Sequence, residues 1–296
     1  MRGWASTNSL ERIGYVLLVG ALPAAAFYIS MVFDPRWVAV VVAAALAYGF
    51  MSPIVAARRL YFLAGASAHS ALLAAVVAIP LAAWASPITE PAWATVIGLA
   101  LMYVVGYMVH RGVDPDTATA VFVAATASAS VIAIYYVLTR FPMRAELWAI
   151  IVGDPLLASW SDAWYALLVA LTASLGVLLT YREQIYAGLD REFVALSGAR
   201  LWLYDWLTFT FLGLTTVALI RVVGFVLEHV LLLLPAAIAT RLARSSRGVL
   251  ITSISISTAA ALLGLYLAIL LDQSPAGLIG AVLLVAYLLA LSIRRS

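Results

Sequence analysis

The chain of 296 residues contains no cysteine and no lysine, and only 10% of its residues are charged. Without cysteine, it can have no disulfide framework, no iron–sulfur cluster and no thiolate metal site. Without lysine, it cannot have a P-loop, because the lysine of that motif must reach the nucleotide phosphates. If ATP drives this protein, another chain must therefore bind the nucleotide.

The shortage of charge accompanies an abundance of apolar residues, which make up 65% of the chain. The mean hydropathy is +1.07, whereas a soluble domain has about 25% charged residues. These values predict an all-α fold, a polytopic transmembrane helical bundle with about ten spans. The spans are predicted at roughly 13–33, 37–57, 63–85, 92–109, 117–139, 160–181, 203–220, 224–240, 249–271 and 276–293. A further apolar piece, 145–157, is too short to span and predicts a re-entrant or interfacial helix.

The arginines predict the orientation of this bundle. If both termini are cytoplasmic, thirteen arginines face the inside and four, at positions 36, 140, 144 and 221, face the outside. The opposite topology would invert this positive-inside bias. We therefore expect a multi-pass protein of the plasma (inner) membrane, with the lipid bilayer as its environment and with both termini in the cytoplasm. The net charge of +3 follows from this topology, and we expect no nucleic-acid partner.

Ionisable residues interrupt two of the predicted spans. Glu228 and His229 lie side by side between Arg221 and Arg241, and Pro235, six residues after His229, is a potential helix break. Ionisable groups are costly in hydrocarbon, and interrupted helices with polar ligands often form transport sites. His69 lies early in the third span among small residues, which leave room for a pathway. The alternative for both sites is an ordinary hydrogen bond to a neighbouring helix.

The longest predicted cytoplasmic connection is 183–200, and it contains a short amphipathic pattern. Asp190 is a candidate N-cap, and Gly198 would end the helix. Phe193 and Leu196 would share one face, which suits either a partner's groove or the lipid interface. Asp205, early in the next span, is expected to face Arg200 or Arg182.

Several stretches resemble one family of membrane proteins. Arg58–Ser70, RRLYFLAGASAHS, is similar to RRMAFLGDALSHA, and Ile151–Leu157, IVGDPLL, is similar to LFGDIL. Leu189–Gly198, LDREFVALSG, resembles FDPELARALG, and Val223–Ala243 resembles VGVLLVSALLIIPAATARLLA. These are motifs of the ABC-3 family, the permease subunits of ABC importers for zinc, manganese or iron. With DTA at Asp116–Ala118 and the tail, LGLYLA followed by Arg294 and Arg295, the resemblance covers about residues 37–295. The span within 1–36 is therefore expected to be an N-terminal addition.

The resemblance implies a single transmembrane permease domain over 1–296 and no enzyme activity of its own. It implies a homodimer around a central pathway, a cytoplasmic ABC ATPase subunit and an extracytoplasmic metal-binding protein. The divalent metal would be a transported substrate, and no permanently bound cofactor is expected. Within the 183–200 coupling loop, the residues expected to meet the ATPase are Asp190, Arg191, Glu192, Phe193, Leu196 and Gly198.

The sequence departs from the family motif at the expected metal path. The family has an aspartate four residues before its histidine, whereas Gly65 precedes His69 here. Glu228 and His229 stand where family members have small or apolar residues. We therefore expect His69, Glu228 and His229 to carry the ion, although the departure leaves the family's metal preference open.

Helix geometry favours two successive stations for the ion over one shared site. His69 lies about six residues from the inner start of its span, and Glu228 seven from Arg221 at the outer start of its own. Each is thus roughly 10 Å along its helix, from opposite faces of a core about 30 Å thick. The alternative function is a standalone secondary transporter or channel that uses Glu228 and His229 as an ion or proton relay. A membrane enzyme is disfavoured because HExxH spacing is absent.

Overall fold

The computed structural model describes residues 9–85, 87–141 and 153–292, with side chains described from residue 12 onward. Within these ranges the regular structure is entirely helical, which confirms the predicted all-α class. The helices are α1 Ser9–Val16, α2 Leu22–Val32, α3 Pro35–Ala57, α4 Tyr61–Trp84, α5 Glu90–His110, α6 Pro115–Arg140, α7 Trp160–Leu189, α8 Arg191–Leu196, α9 Leu201–Leu242, α10 Ser246–Leu271 and α11 Pro275–Ser292. A π-helical turn, Leu17–Ala21, joins α1 to α2.

Nine helices in the described ranges are long and apolar enough to cross a membrane. One of them, α9, has 42 residues and would be roughly 63 Å long if straight, about twice the thickness of the hydrocarbon core. Its Gly224 has φ 77° and ψ 166°, which are not helical angles, so the helix is broken into 201–223 and 225–242. The two halves correspond to two of the ten predicted spans.

Contacts along α9 indicate that the chain reverses direction at Gly224. Thr208 is bonded to Arg58, at the end of the bundle predicted to face the cytoplasm, which we call the inner end. Arg221 is bonded to Glu90, at the opposite, outer end, where α5 begins. Beyond the break, the Ala236 N–H donates to Ser52 Oγ at 3.0 Å, near the inner end of α3. The second half of α9 therefore returns toward the inner end.

Helix α3 occupies the centre of the bundle. Four of its alanines, Ala43, Ala44, Ala45 and Ala47, are fully or almost fully buried. Small side chains let membrane helices approach closely, and α3 packs against α7, α9 and α10. The N-terminal span is instead mostly exposed and lies beside α10, where Ser255 Oγ donates to the Gly14 carbonyl.

An outer segment packs directly on the reversal in α9. Gly153 has φ 75°, and a Cβ added there would lie 1.9 Å from the Val223 carbonyl oxygen. A 3-10 turn, Pro155–Leu157, follows it. Most of the short helix predicted at 145–157 lies outside the described residues, because the description resumes only at Gly153. The described part thus holds the Gly224 turn in place from outside.

Candidate functional site

The three predicted ion-pathway residues come together in one cluster between α4 and the second half of α9. The imidazole rings of His69 and His229 are 6.4 Å apart, centroid to centroid. Phe225 lies against both rings, at 5.1 Å from His69 and 4.7 Å from His229. Glu228 is fully buried beside them, and its Oε1 lies 3.2 Å from Ser67 Oγ.

The preference for two separated stations is therefore wrong. Ala75 of α4 lines the same small outer cavity as Glu90 and Arg221, so Ala75 and Arg221 lie at one depth. His69 lies six residues below Ala75, and Glu228 lies seven residues beyond Arg221, each roughly 10 Å from that level. Helix α4 starts deeper in the bundle than the inner membrane face, which is where the apolar pattern predicts its start. In the structure, the residues before α4 contact Thr208, seven residues inside α9.

The position that lacks the family aspartate adjoins the histidine gained elsewhere. A Cβ added at Gly65 would lie 3.9 Å from His229 Cδ2. The imidazole of His229 therefore reaches the side of α4 that an aspartate at position 65 would have occupied. A potential ligand that α4 lacks at position 65 thus has a counterpart on α9, the His229 ring.

Hydrogen bonds around His229 determine which nitrogen is available. Its Nδ1 lies 2.8 Å from the Phe225 carbonyl oxygen. A carbonyl oxygen can only accept, so Nδ1 carries the proton, and neutral His229 keeps its lone pair on Nε2. This tautomer leaves Nε2 available as a metal ligand.

Glu228 is incompletely satisfied in its buried position. Ser67 Oγ has one proton, and it also lies 2.6 Å from the Ala64 carbonyl oxygen, so it cannot donate to both oxygens. Glu228 Oε2 has no hydrogen-bond partner among the described residues and lies 3.4 Å from His229 Nδ1. A buried, unpaired acceptor is costly, and a cation at this oxygen would remove that cost.

The cluster is nevertheless not a complete metal cage. Within the described ranges, no group of three or more His, Asp or Glu side chains is arranged to hold a metal ion. Two imidazoles and one carboxylate lie nearby, and both histidines are half-buried while Glu228 is buried. The arrangement can offer a few ligands to a passing cation, with further ligands needed from outside this group.

A second polar cluster lies at the inner end. Asp205 is bonded to Arg58, which precedes α4, and to Arg191 of α8. The expectation that Asp205 faces Arg200 or Arg182 is therefore wrong, because the α3–α4 turn and α8 both approach it more closely. The hydrogen bond to Asp205 raises the pKa of Arg191. Burial lowers the pKa of Arg58, with Asp205 opposing that effect.

The predicted coupling segment contains the expected short helix, but the helix before it is longer than predicted. Helix α7 continues to Leu189, so residues 183–189 are helical and do not form a loop. The Asp190 carboxylate accepts from the Phe193 N–H at 2.9 Å and caps α8, as predicted. Gly198, with φ 81°, follows the helix. Phe193 and Leu196 are 64% and 87% exposed, so α8 presents an apolar surface at the inner end.

Sequence reasoning missed three members of these clusters. Ser67 and Phe225 contact the ion-pathway residues, and Arg58 anchors the inner cluster. Serine and phenylalanine are common in membrane helices, so neither was distinctive. Arg58 lies in a quoted motif, but no pattern in the sequence indicated its partners.

The comparisons with known proteins agree with this fold. A sequence model described as the ABC 3 transport family matches residues 30–294. The manganese transport system membrane protein MntC of Halalkalibacterium halodurans is 28% identical over 127 residues, 43% of this chain and 44% of that protein. The chain thus spans less than half the length of this curated relative. A probable metal transport system membrane protein of Thermotoga maritima is 26% identical over 243 residues, 81% of this chain and 82% of its own length.

A solved structure, PsaBC from Streptococcus pneumoniae in complex with Fab, has the same fold with a TM-score of 0.78. It is 18% identical, and the match covers 91% of this chain and 95% of that one. The family match extends over nearly all of the chain except the N-terminal span. The chain belongs to the ABC 3 transport family.

Proposed function

We propose that this chain is the membrane-spanning permease subunit of an ABC importer for a divalent transition-metal ion, zinc, manganese or iron. The observation that carries the proposal is the convergence of His69, Glu228 and His229 inside the bundle of an ABC transport family member. The names of the manganese and metal transport relatives support the same substrate class.

The donor types suit such ions. Imidazole nitrogen and carboxylate oxygen bind zinc, iron and manganese, while the absence of cysteine removes the thiolates of a dedicated soft-metal site. A transported ion must also be released, so an incomplete ligand set is an advantage. A second copy of the chain, facing the half-buried histidines across a central pathway, supplies further ligands in this proposal.

ATP hydrolysis takes place on a separate cytoplasmic subunit that meets α8. Asp190 fixes the start of this helix, and the exposed Phe193 and Leu196 suit an apolar groove on the ATPase. An extracytoplasmic metal-binding protein delivers the ion at the outer end. The importer lies in the plasma membrane with both termini of the permease in the cytoplasm, as the arginine distribution favours.

Reconstitution tests the proposal. The chain and its ATPase, placed together in proteoliposomes with the metal-loaded binding protein outside, should accumulate metal only when ATP is present on the ATPase side. A proton or ion relay would instead accumulate metal from an imposed gradient, without the ATPase. Uptake of that second kind, or no ATP-dependent uptake of zinc, manganese or iron, would reject the importer.

A further inference from the structure

We propose that Asp205 is the junction that transmits movement of α8 to α4, the helix that carries His69. The inference rests on the proposed function, because it assigns a positioning role within ATP-driven transport. Its basis is a continuous set of contacts from α8 through Asp205 to the short α3–α4 turn.

The first contact joins α8 to α9 with a defined geometry. Arg191 donates from Nη1 to Asp205 Oδ1 at 3.1 Å and from Nη2 to Asp205 Oδ2 at 2.8 Å. A two-point guanidinium–carboxylate pair fixes the relative orientation of its partners as well as their distance. Arg191 is the first residue of α8, so this pair connects the start of that helix to Asp205.

The second contact joins Asp205 to the start of α4. Arg58, whose side chain is only 5% exposed, donates to Asp205 Oδ1, the oxygen that also accepts from Arg191 Nη1. It also donates to Gln184 Oε1 at 2.8 Å and to the Tyr204 carbonyl at 3.1 Å. Arg58 therefore holds together α7, α9 and the turn before α4. Only residues 58–60 separate α3 from α4, so α4 must follow a displacement of Arg58.

Backbone packing makes the same turn stiff. A Cβ added at Gly188, near the end of α7, would lie 2.5 Å from the Ala57 carbonyl oxygen and 3.0 Å from the Arg58 nitrogen. Arg59 adopts a left-handed conformation, φ 56°, which is uncommon for a residue with a side chain. The turn is thus fixed by close contact on one side and by the Arg58 bonds on the other.

Asp205 is suited to a contact that opens and closes. It is 29% exposed and has two guanidinium partners, of which Arg191 is 57% exposed. If Arg191 moves away with α8, Asp205 remains paired with Arg58, so no carboxylate is left without a partner. An inner cavity of about 660 Å³, lined by Arg58, Arg191 and Asp205, leaves room for that movement.

The consequence for the pathway follows from the position of α4. Ser67 and His69 lie on α4 about two to three turns beyond Arg58, opposite Glu228 and His229. A shift of Arg58 along the bundle would move Ser67 and His69 on α4 relative to Glu228 and His229 on α9. Asp205 would thereby make the ion ligands respond to ATP without touching the ion itself.

The experiment compares Asp205→Asn with Asp116→Asn, both in the full chain assembled with its ATPase in proteoliposomes. Asp116 lines the same inner cavity, and its side chain has no partner among the described residues, so it controls for the change in charge. We expect D205N to transport about fivefold fewer metal ions per ATP hydrolysed. That value is the low end of the effect that one site typically has on another in allosteric proteins. D116N should keep the wild-type ratio.

D205N also removes the anion beside the buried Arg58 and could therefore misfold, so a second variant is needed. Arg191→Gln leaves the Arg58–Asp205 pair intact, and Arg200→Gln is its control, an exposed arginine of the same segment with no ion pair in the described part of the chain. R191Q should lower the ratio of metal to ATP, and D205N combined with R191Q should lower it little further. A wild-type ratio in R191Q, or an equal loss in R200Q, would overturn the proposal.

A readout of movement separates this inference from the proposed function. Because the chain has no cysteine, Phe62→Cys near the start of α4 provides one site for a spin label in each copy of the chain. ATP should change the spectrum in the otherwise wild-type complex and leave it unchanged with R191Q. An ATP response that persists in R191Q contradicts the junction even if transport occurs, whereas absent metal uptake by the wild type rejects the importer.

Discussion

At the scale of single residues, the sequence predicts which side chains form the candidate site but not how close together they lie. Charged and imidazole side chains are rare in apolar helices, so the sequence alone predicts His69, Glu228 and His229 as ion-pathway residues. It does not predict their proximity, because hydropathy gives the order of residues along a helix but not the depth at which the helix begins. The contacts of Arg58 with Gln184 and Thr208 set the depth of α4, and these contacts leave no local pattern.

The proximity of the two pathway histidines can be tested with paired thiols. In the cysteine-free chain, His69→Cys combined with His229→Cys should bind Cd²⁺ between the two sulfurs, because the native rings are 6.4 Å apart. Cd²⁺ should then protect both thiols from maleimide. The control pair replaces His69→Cys with His110→Cys, at the inner end of α5. Equal protection in both pairs would show that the histidines do not face one another.

At the scale of elements, the apolar runs predicted the helices because each span must satisfy its backbone hydrogen bonds internally. The division of 201–242 into two spans was also predicted, although the break needed no proline. Pro235 lies within the second half, and the break occurs at Gly224. Its combination of φ and ψ is one that essentially only glycine adopts, which explains why a glycine stands there.

Replacing this glycine should weaken the reversal of α9. Gly224→Ala forces a side chain into its backbone conformation, at a cost of about 1–3 kcal/mol. We expect a melting temperature in detergent below that of the wild type, together with reduced metal uptake. Gly277→Ala is the control, because a Cβ there meets nothing nearer than Ser274 Cβ at 3.9 Å. If G224A melted at the same temperature as the wild type and G277A, the turn at Gly224 would not be strained.

The role of α8 is testable by removing its exposed surface. Glu192→Ala combined with Phe193→Ala should weaken co-purification of the ATPase and abolish most metal uptake, because Phe193 is 64% exposed at the inner end. Val194 faces inward and is untouched, so the permease itself should fold. Wild-type assembly and uptake in this double variant would exclude α8 as the docking element.

At the scale of the whole molecule, we predict the orientation in the membrane from the arginines. Thirteen arginines lie in segments predicted to face the cytoplasm, and four lie in segments predicted to face the outside. Single cysteines at Ser197 and Gln273, in the otherwise cysteine-free chain, should therefore differ in intact cells. We expect an impermeant maleimide to label Q273C and to spare S197C and S296C. Labelling of S296C from outside would show that the C-terminus is not cytoplasmic, so that the predicted orientation or the predicted number of ten spans is wrong.

The central claim is that the cluster of His69, Glu228 and His229 carries the metal ion. It is tested most directly by ATP-driven uptake at limiting metal, measured in proteoliposomes for the wild type, Glu228→Gln, His69→Ala and the control His110→Ala. E228Q and H69A should each take up on the order of tenfold less metal at equal protein and equal ATPase assembly, since altering groups around a metal site costs about 10–100-fold. H110A should match the wild type. Normal uptake by both E228Q and H69A would show that the ion passes elsewhere.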